Sequence, residues 1–181
     1  RAAGRAALDH AGLTIDDVRH VDLYSCFPAA VQIAADALGL PVDDPDRPLS
    51  VTGGLTFAGG PGNGYGSHAI ATMVPILRDD PMSTGLSTSL GWYATKHAVG
   101  LYSATPPDRA FAHLRPMVER PPARQVLRRY EGDVVVEATT VPYARDGSPE
   151  AAILSTLTPG GDRVLVRADA PDVLALVLQG D

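Results

Sequence analysis

The stretch from residue 6 to residue 40, "AALDHAGLTIDDVRHVDLYSCFPAAVQIAADALGL", changes its apolar period twice, and those changes set the fold class. It begins inside a helix predicted over residues 2–11, where Ala3, Ala7, Leu8 and Ala11 recur at helical spacing and Gly12 supplies the stop. Thr14 with Asp17 three residues on is a relative of the capping box. "HVDLYSCF" then alternates, with Val21, Leu23 and Ser25 on one side of a strand. Pro28 suits the first turn of a helix that continues to Gly39. Helix, strand and helix in succession open an α/β domain.

Downstream, "PVDDPDRP" is a loop by its prolines and aspartates, and "LSV" is a short strand leading into "VTGGLTFAGGPGNGYGSHAIATM", residues 51–73. "SHAIATMVPILRDD" after the glycines reads as a largely buried helix, with Pro75 kinking it or sitting near a turn. "STGLSTSLGWY" and "KHAVGLYSA" read as two strands joined around residues 91–95. Residues 1–104 therefore form one α/β domain. Residues 105–122, with Pro106, Pro107, Pro116, Pro121 and Pro122, read as a linker with a short helix at 108–114. Residues 123–181 hold "RQVLRRY", "DVVVEATTVPYA", "EAAILSTLT" and "DRVLVRAD". These are β-rich runs that predict a small OB-like barrel closed by the helical "APDVLALVLQ".

A net charge of −6 argues against a broad nucleic-acid footprint, because phosphate binding needs clustered Lys and Arg. No apolar run approaches the roughly 20 residues of a membrane span. One cysteine, Cys26, permits no internal disulfide and fits a reducing compartment, with the cytoplasm as the expected location. The opening "RAAGRAALDHAGL" is already helical and has no initiator Met, as expected for the C-terminal part of a longer protein.

The glycine run lacks the Gly-Lys-Ser/Thr of a P-loop and matches the dinucleotide fingerprint only loosely, which leaves a tight turn or a ligand loop. Cys26 precedes the helix at Pro28, where the dipole favours a thiolate, although a lone cysteine flanked by Phe27 is more often a small buried hydrophobe. Tyr24, Tyr65 and Tyr93 are core aromatics or proton donors. His68, Lys96 and His97 are the nearest titratable partners, and strand alternation places Lys96 and His97 on opposite faces, so that only one should face a site. The histidines show no metal-ligand spacing.

In order and spacing, residues 1–103 resemble the C-terminal half of the thiolase superfamily. Residues 6–40 look like the thiolase run of helix, strand and His-Asp-Cys-Phe or Asn-Glu-Ala-Phe motif. Residues 51–73 look like its "NGGAIALGHPLGASGAR" loop, and residues 87–103 fall where the final Cys-x-Gly hairpin stands. The C-terminal extension is similar to that of actinobacterial thiolase-like proteins, including the type 1 group. The resemblance implies a mixed sheet with helices on both faces, and an apolar surface covered by the missing N-terminal half, a copy of the chain or another subunit. It implies acyl-CoA as substrate, with coenzyme A as a substrate or product moiety and no tightly bound cofactor. The glycine loop, with Gly53, Gly54, Gly59, Gly60 and Gly62, would lie over the thioester.

Cys26 aligns with an acid/base cysteine, Tyr24 with the motif's first residue, and Gly60 with the loop histidine that serves the oxyanion hole; Ser89-Leu90-Gly91 replaces the last catalytic cysteine. The nucleophilic cysteine belongs to the N-terminal half, so this part alone is expected to be inactive. The first expectation is an acyltransferase of the acetyl-CoA acetyltransferase type, acting in lipid or sterol metabolism with Cys26, Tyr24, Tyr65 and His97 at its site. A retro-aldol lyase on β-hydroxyacyl-CoA, or a non-catalytic CoA- or partner-binding protein, are the alternatives.

Overall fold

The computed structural model describes residues 1–180 and divides into two compact units, Arg1–Val118 and Glu119–Asp181. In the first unit, α1 (Ala2–Ala11) ends on Gly12 at φ 70°, and α2 (Pro28–Leu38) starts on its proline and ends on Gly39 at φ 81°. Both stops use the left-handed backbone that glycine adopts without steric cost. Between them Asp17 Oδ2 accepts from both the backbone N and the hydroxyl of Thr14, each at 2.7 Å, and fixes a 3-10 turn at Ile15–Asp17.

The sheet of this unit is mixed. β1 (His20–Asp22) pairs parallel to β2 (Thr84–Gly91), and β2 pairs antiparallel with β3 (Lys96–Ser103). The predicted hairpin is present with Gly91 opposite Lys96. On one face Val21, Leu23 and Leu86 join Leu8 of α1 and Ala35 of α2 in a core completed by Val18 and Leu40. The opposite face receives α4 (Tyr65–Asp79), whose Tyr65, Ala69, Met73 and Leu77 are buried. Gly85 makes the close approach possible, because a Cβ there would stand 2.5 Å from Met73 Sδ. Helices therefore cover both faces, as the resemblance implied. Pro75 lies within α4, which runs on to Asp79.

Four local expectations fail. "LSV" forms no strand; Leu49 offers only its carbonyl, to Leu23 N at 2.9 Å, and the chain then turns to bring residues 50–52 onto Asp22. The glycine run is not open loop throughout, since it contains α3 (Leu55–Ala58) and a 3-10 turn at Gly62–Gly64. Residues 108–114 form no helix. His10 Nε2 bonds Ala110 O at 3.1 Å and Arg109 donates to His10 O at 3.3 Å, so the segment is tied to the end of α1 and its arginine bonds one of that helix's last carbonyls.

The fourth failure is the barrel. The second unit is a three-stranded antiparallel sheet in the order β4 (Val135–Thr140), β5 (Ala152–Leu157), β6 (Arg163–Ala168), followed by α5 (Pro171–Gln179). Among the described residues no further strand closes this sheet, and "RQVLRRY" contributes one bridge, Val126 to Arg163. Closure needs a continuous ladder, and Arg and Gln side chains around Val126 supply no apolar alternation to bury. Ala151, Ala152, Val164 and Thr156 are buried, with Thr156 Oγ1 donating to Val164 O at 2.9 Å.

Candidate functional site

The centre of the first unit's polar architecture is Asp22, an acid inside the predicted strand that alternation alone assigns to the face opposite Val21 and Leu23. It is fully buried. Its Oδ2 accepts from Ser50 Oγ at 2.9 Å, Val51 N at 3.1 Å, Thr52 N at 3.2 Å and Thr52 Oγ1 at 3.0 Å, while Oδ1 accepts from the Tyr65 hydroxyl at 2.8 Å. A buried carboxylate is tolerable only when its lone pairs are filled in this way. Burial in the first place, with the Asp22 carboxylate also contributing, pushes the Tyr65 phenol above its usual value of 10.0. Tyr65 is thus fully buried with its proton directed at Asp22, and it anchors the start of α4.

This network seats the glycine run on the end of β1. Ser25 Oγ accepts from Leu55 N at 2.9 Å, and a Cβ on Gly54 would stand 2.8 Å from that same oxygen. Gly54, at φ 95°, therefore serves both backbone conformation and close approach. Gly53 lies against the Phe57 ring. Gly59, Gly60 and Gly62 differ: all have positive φ, yet a Cβ on any of them would meet nothing within 4 Å. For these three it is the left-handed backbone that calls for glycine.

Beside the seated run lies an open pocket of about 280 Å³ lined by Tyr24, Asn63, Gly66, Ser89–Gly91 and Lys96–Ala98. Tyr24 is half-buried, its backbone N bonded to Thr88 Oγ1 at 2.8 Å and its ring edge-on to Tyr65 at 5.4 Å. Gly66 leaves room for Ser89, since a Cβ there would stand 2.8 Å from Ser89 Oγ. Contrary to the alternation argument, Lys96 and His97 both border the pocket. They begin β3 at its exposed end, beside the hairpin turn. The His97 ring bonds Ala94 O at 2.8 Å across the hairpin turn.

Of the residues proposed from sequence, Tyr24 and His97 meet at this pocket. Cys26 is half-buried and outside its lining, Tyr65 lies beneath it, and Gly53, Gly54, Gly59, Gly60 and Gly62 shape the adjoining loop without lining it. Asn63 and Gly66 carry no sequence-based site role, nor does Asp22 as the network's acceptor, whereas Ser89, placed by resemblance where the last catalytic cysteine stands, does line the pocket. The available signal for Asp22 was an acid at a sheet-facing position between two buried apolar residues.

Residues 113–181 match the family model described as the thiolase-like protein type 1 additional C-terminal domain. Among solved structures the chain is similar to a monomeric SCP2-thiolase like protein type 1 from Mycobacterium smegmatis, with 35% identity and a TM-score of 0.79. That match covers 98% of this chain and 39% of the other, so this chain spans well under half of its relative's length. No curated protein sequence matches. Together the two matches support a thiolase-like family for the chain.

Proposed function

We propose that this thiolase-like chain binds the thioester end of an acyl-CoA in the pocket beside Tyr24 and serves carbon–carbon bond chemistry next to the thioester carbonyl. One observation carries this reading. Three segments far apart in sequence, each assigned by resemblance to the thioester site, converge on one cavity: the strand end with Tyr24, the glycine run with Asn63 and Gly66, and the hairpin with Ser89 and Gly91.

Within that chemistry, the pocket favours the retro-aldol form on a β-hydroxyacyl-CoA of lipid metabolism. In this reading Tyr24, which lines the pocket, exchanges a proton with the substrate hydroxyl. The O–H proton passes to the Tyr24 phenolate, the carbonyl forms, the carbon–carbon bond breaks and its electron pair becomes the enolate of the acyl-CoA product, whose α carbon then takes the proton back from the Tyr24 phenol. The acyltransferase form needs a nucleophilic thiol. Cys26, the chain's one thiol, lies outside the pocket lining, so that nucleophile would come from elsewhere in a longer thiolase-like protein. Phe27, Ile33 and Phe57 are exposed on this unit, and we assign a second thiolase-like half to cover them. Among the described residues no helix is long and apolar enough to cross a membrane, and the cytoplasm is the proposed location.

Calorimetric titration with acetyl-CoA tests the reading. Binding is expected, weakened by Tyr24→Phe and unaffected by Cys26→Ala; no binding, or binding indifferent to Tyr24, Asn63 and Ser89 substitutions, would refute it. Binding without turnover of any β-hydroxyacyl-CoA in the full-length protein would leave the non-catalytic form.

A further inference from the structure

We infer that Lys96 is a catalytic residue of this pocket, stabilising the negative charge that develops on the substrate's carbonyl oxygen; the inference rests on the thioester reading above. Of 15 basic side chains, Lys96 is the single lysine. It lines the pocket, and the lining contains no carboxylate to neutralise it. Among the described residues the ion pairs engage Arg1, His20, Arg163 and Arg167, and none engages Lys96. Its stem is accommodated by Gly91, where a Cβ would come within 3.2 Å of Lys96 Cβ and 3.6 Å of Cδ. The hairpin thus keeps an uncompensated cation beside the cavity in a chain of net charge −6. Before substrate binds, solvent screens that charge. A bound substrate displaces water, and the attraction of the ammonium for an oxyanion strengthens as the local dielectric falls.

The chemistry is that of an enolate. In water a 3-ketoacyl thioester ionises to a small extent: an α C–H bond breaks, the proton passes to water, its electron pair forms the carbon–carbon double bond, and the charge settles on oxygen. A site that binds the enolate more tightly than the keto form shifts the bound population by the ratio of the two affinities.

The experiment mixes the chain with acetoacetyl-CoA and reads the ultraviolet absorbance of the enolate, with calorimetry in parallel to measure binding. The enolate-to-keto ratio of the bound thioester is expected to rise on the order of tenfold over the free ligand, the effect of one charge-assisted hydrogen bond. Lys96→Gln should still bind yet return the ratio to its free value, and Lys96→Arg should keep part of the rise. An equal rise in Lys96→Gln, or bound thioester without any rise in the natural chain, overturns the role of Lys96 alone. Absence of binding in the natural chain overturns the thioester reading and this inference with it.

Discussion

Replacing Tyr65 with Phe removes one hydroxyl from a fully buried position and leaves the ring in place, including its edge-on contact with Tyr24. Among the described residues that hydroxyl is the only donor to Asp22 Oδ1, at 2.8 Å, and it also meets Thr52 Oγ1 at 2.7 Å. Oδ2 keeps its four donors, so the loss is confined to one lone-pair site on a buried carboxylate. A hydrogen bond to a charged group contributes about 1.5–3 kcal/mol, so the variant should lose about 2 kcal/mol. Tm should then fall by roughly 8 °C, at about 4 °C per kcal/mol for a unit of this size.

The same substitution changes the response to alkali. The folded state holds the Tyr65 proton more tightly than the unfolded state does, so this contribution to stability is complete below the usual value of 10.0 and is lost as pH rises through the higher folded value. Urea unfolding followed by far-ultraviolet circular dichroism, at neutral pH and above pH 10, measures both effects. A neutral-pH loss below about 0.5 kcal/mol, or an alkaline slope identical in Tyr65→Phe, would show that the Asp22 network does not hold the loop.

Three further substitutions test the backbone and the sheet. Gly85→Ala should cost about 1–3 kcal/mol by forcing a methyl against Met73 of α4, and Met73→Ala in the same chain should restore part of it; thermal melts of the single and double variants decide the point. Ala94→Gly should stabilise by about 0.5 kcal/mol, because Ala94 holds φ 55° in a turn where glycine is unstrained, and a measurable loss would refute the strain. Gly60→His should fold and lose about 1 kcal/mol, since its φ of 60° is strained for a side chain while the space around it is open; failure to fold would contradict that geometry.

Local rules reached most of the first unit. Helix stops at Gly12 and Gly39, a helix start at Pro28, the Thr14–Asp17 turn and the β2–β3 hairpin each depend on residues a few positions apart, and each stands where periodicity and capping put it. The same rules failed at "LSV" and at residues 108–114, where long-range hydrogen bonds compete with local preference: Asp22 draws residues 50–52 onto itself, and the end of α1 bonds Arg109 and Ala110. They also over-read the second unit, because period-2 alternation identifies strands without saying whether their sheet closes.

By itself the sequence determined the α/β alternation of the first unit, the β-rich character of the second and the run of glycines, since each is written in spacing along the chain. The tertiary structure decided which of those glycines make room and which only bend the backbone. It also decided that Tyr65 is held by Asp22 beneath the site while Tyr24 faces it, and that Lys96 and His97 share a pocket despite adjacent positions in a strand. Those outcomes depend on parallel pairing of β1 with β2, residues some 65 positions apart, and on the burial of one carboxylate. Neither quantity has a local signature, because both are fixed only when distant segments pack together.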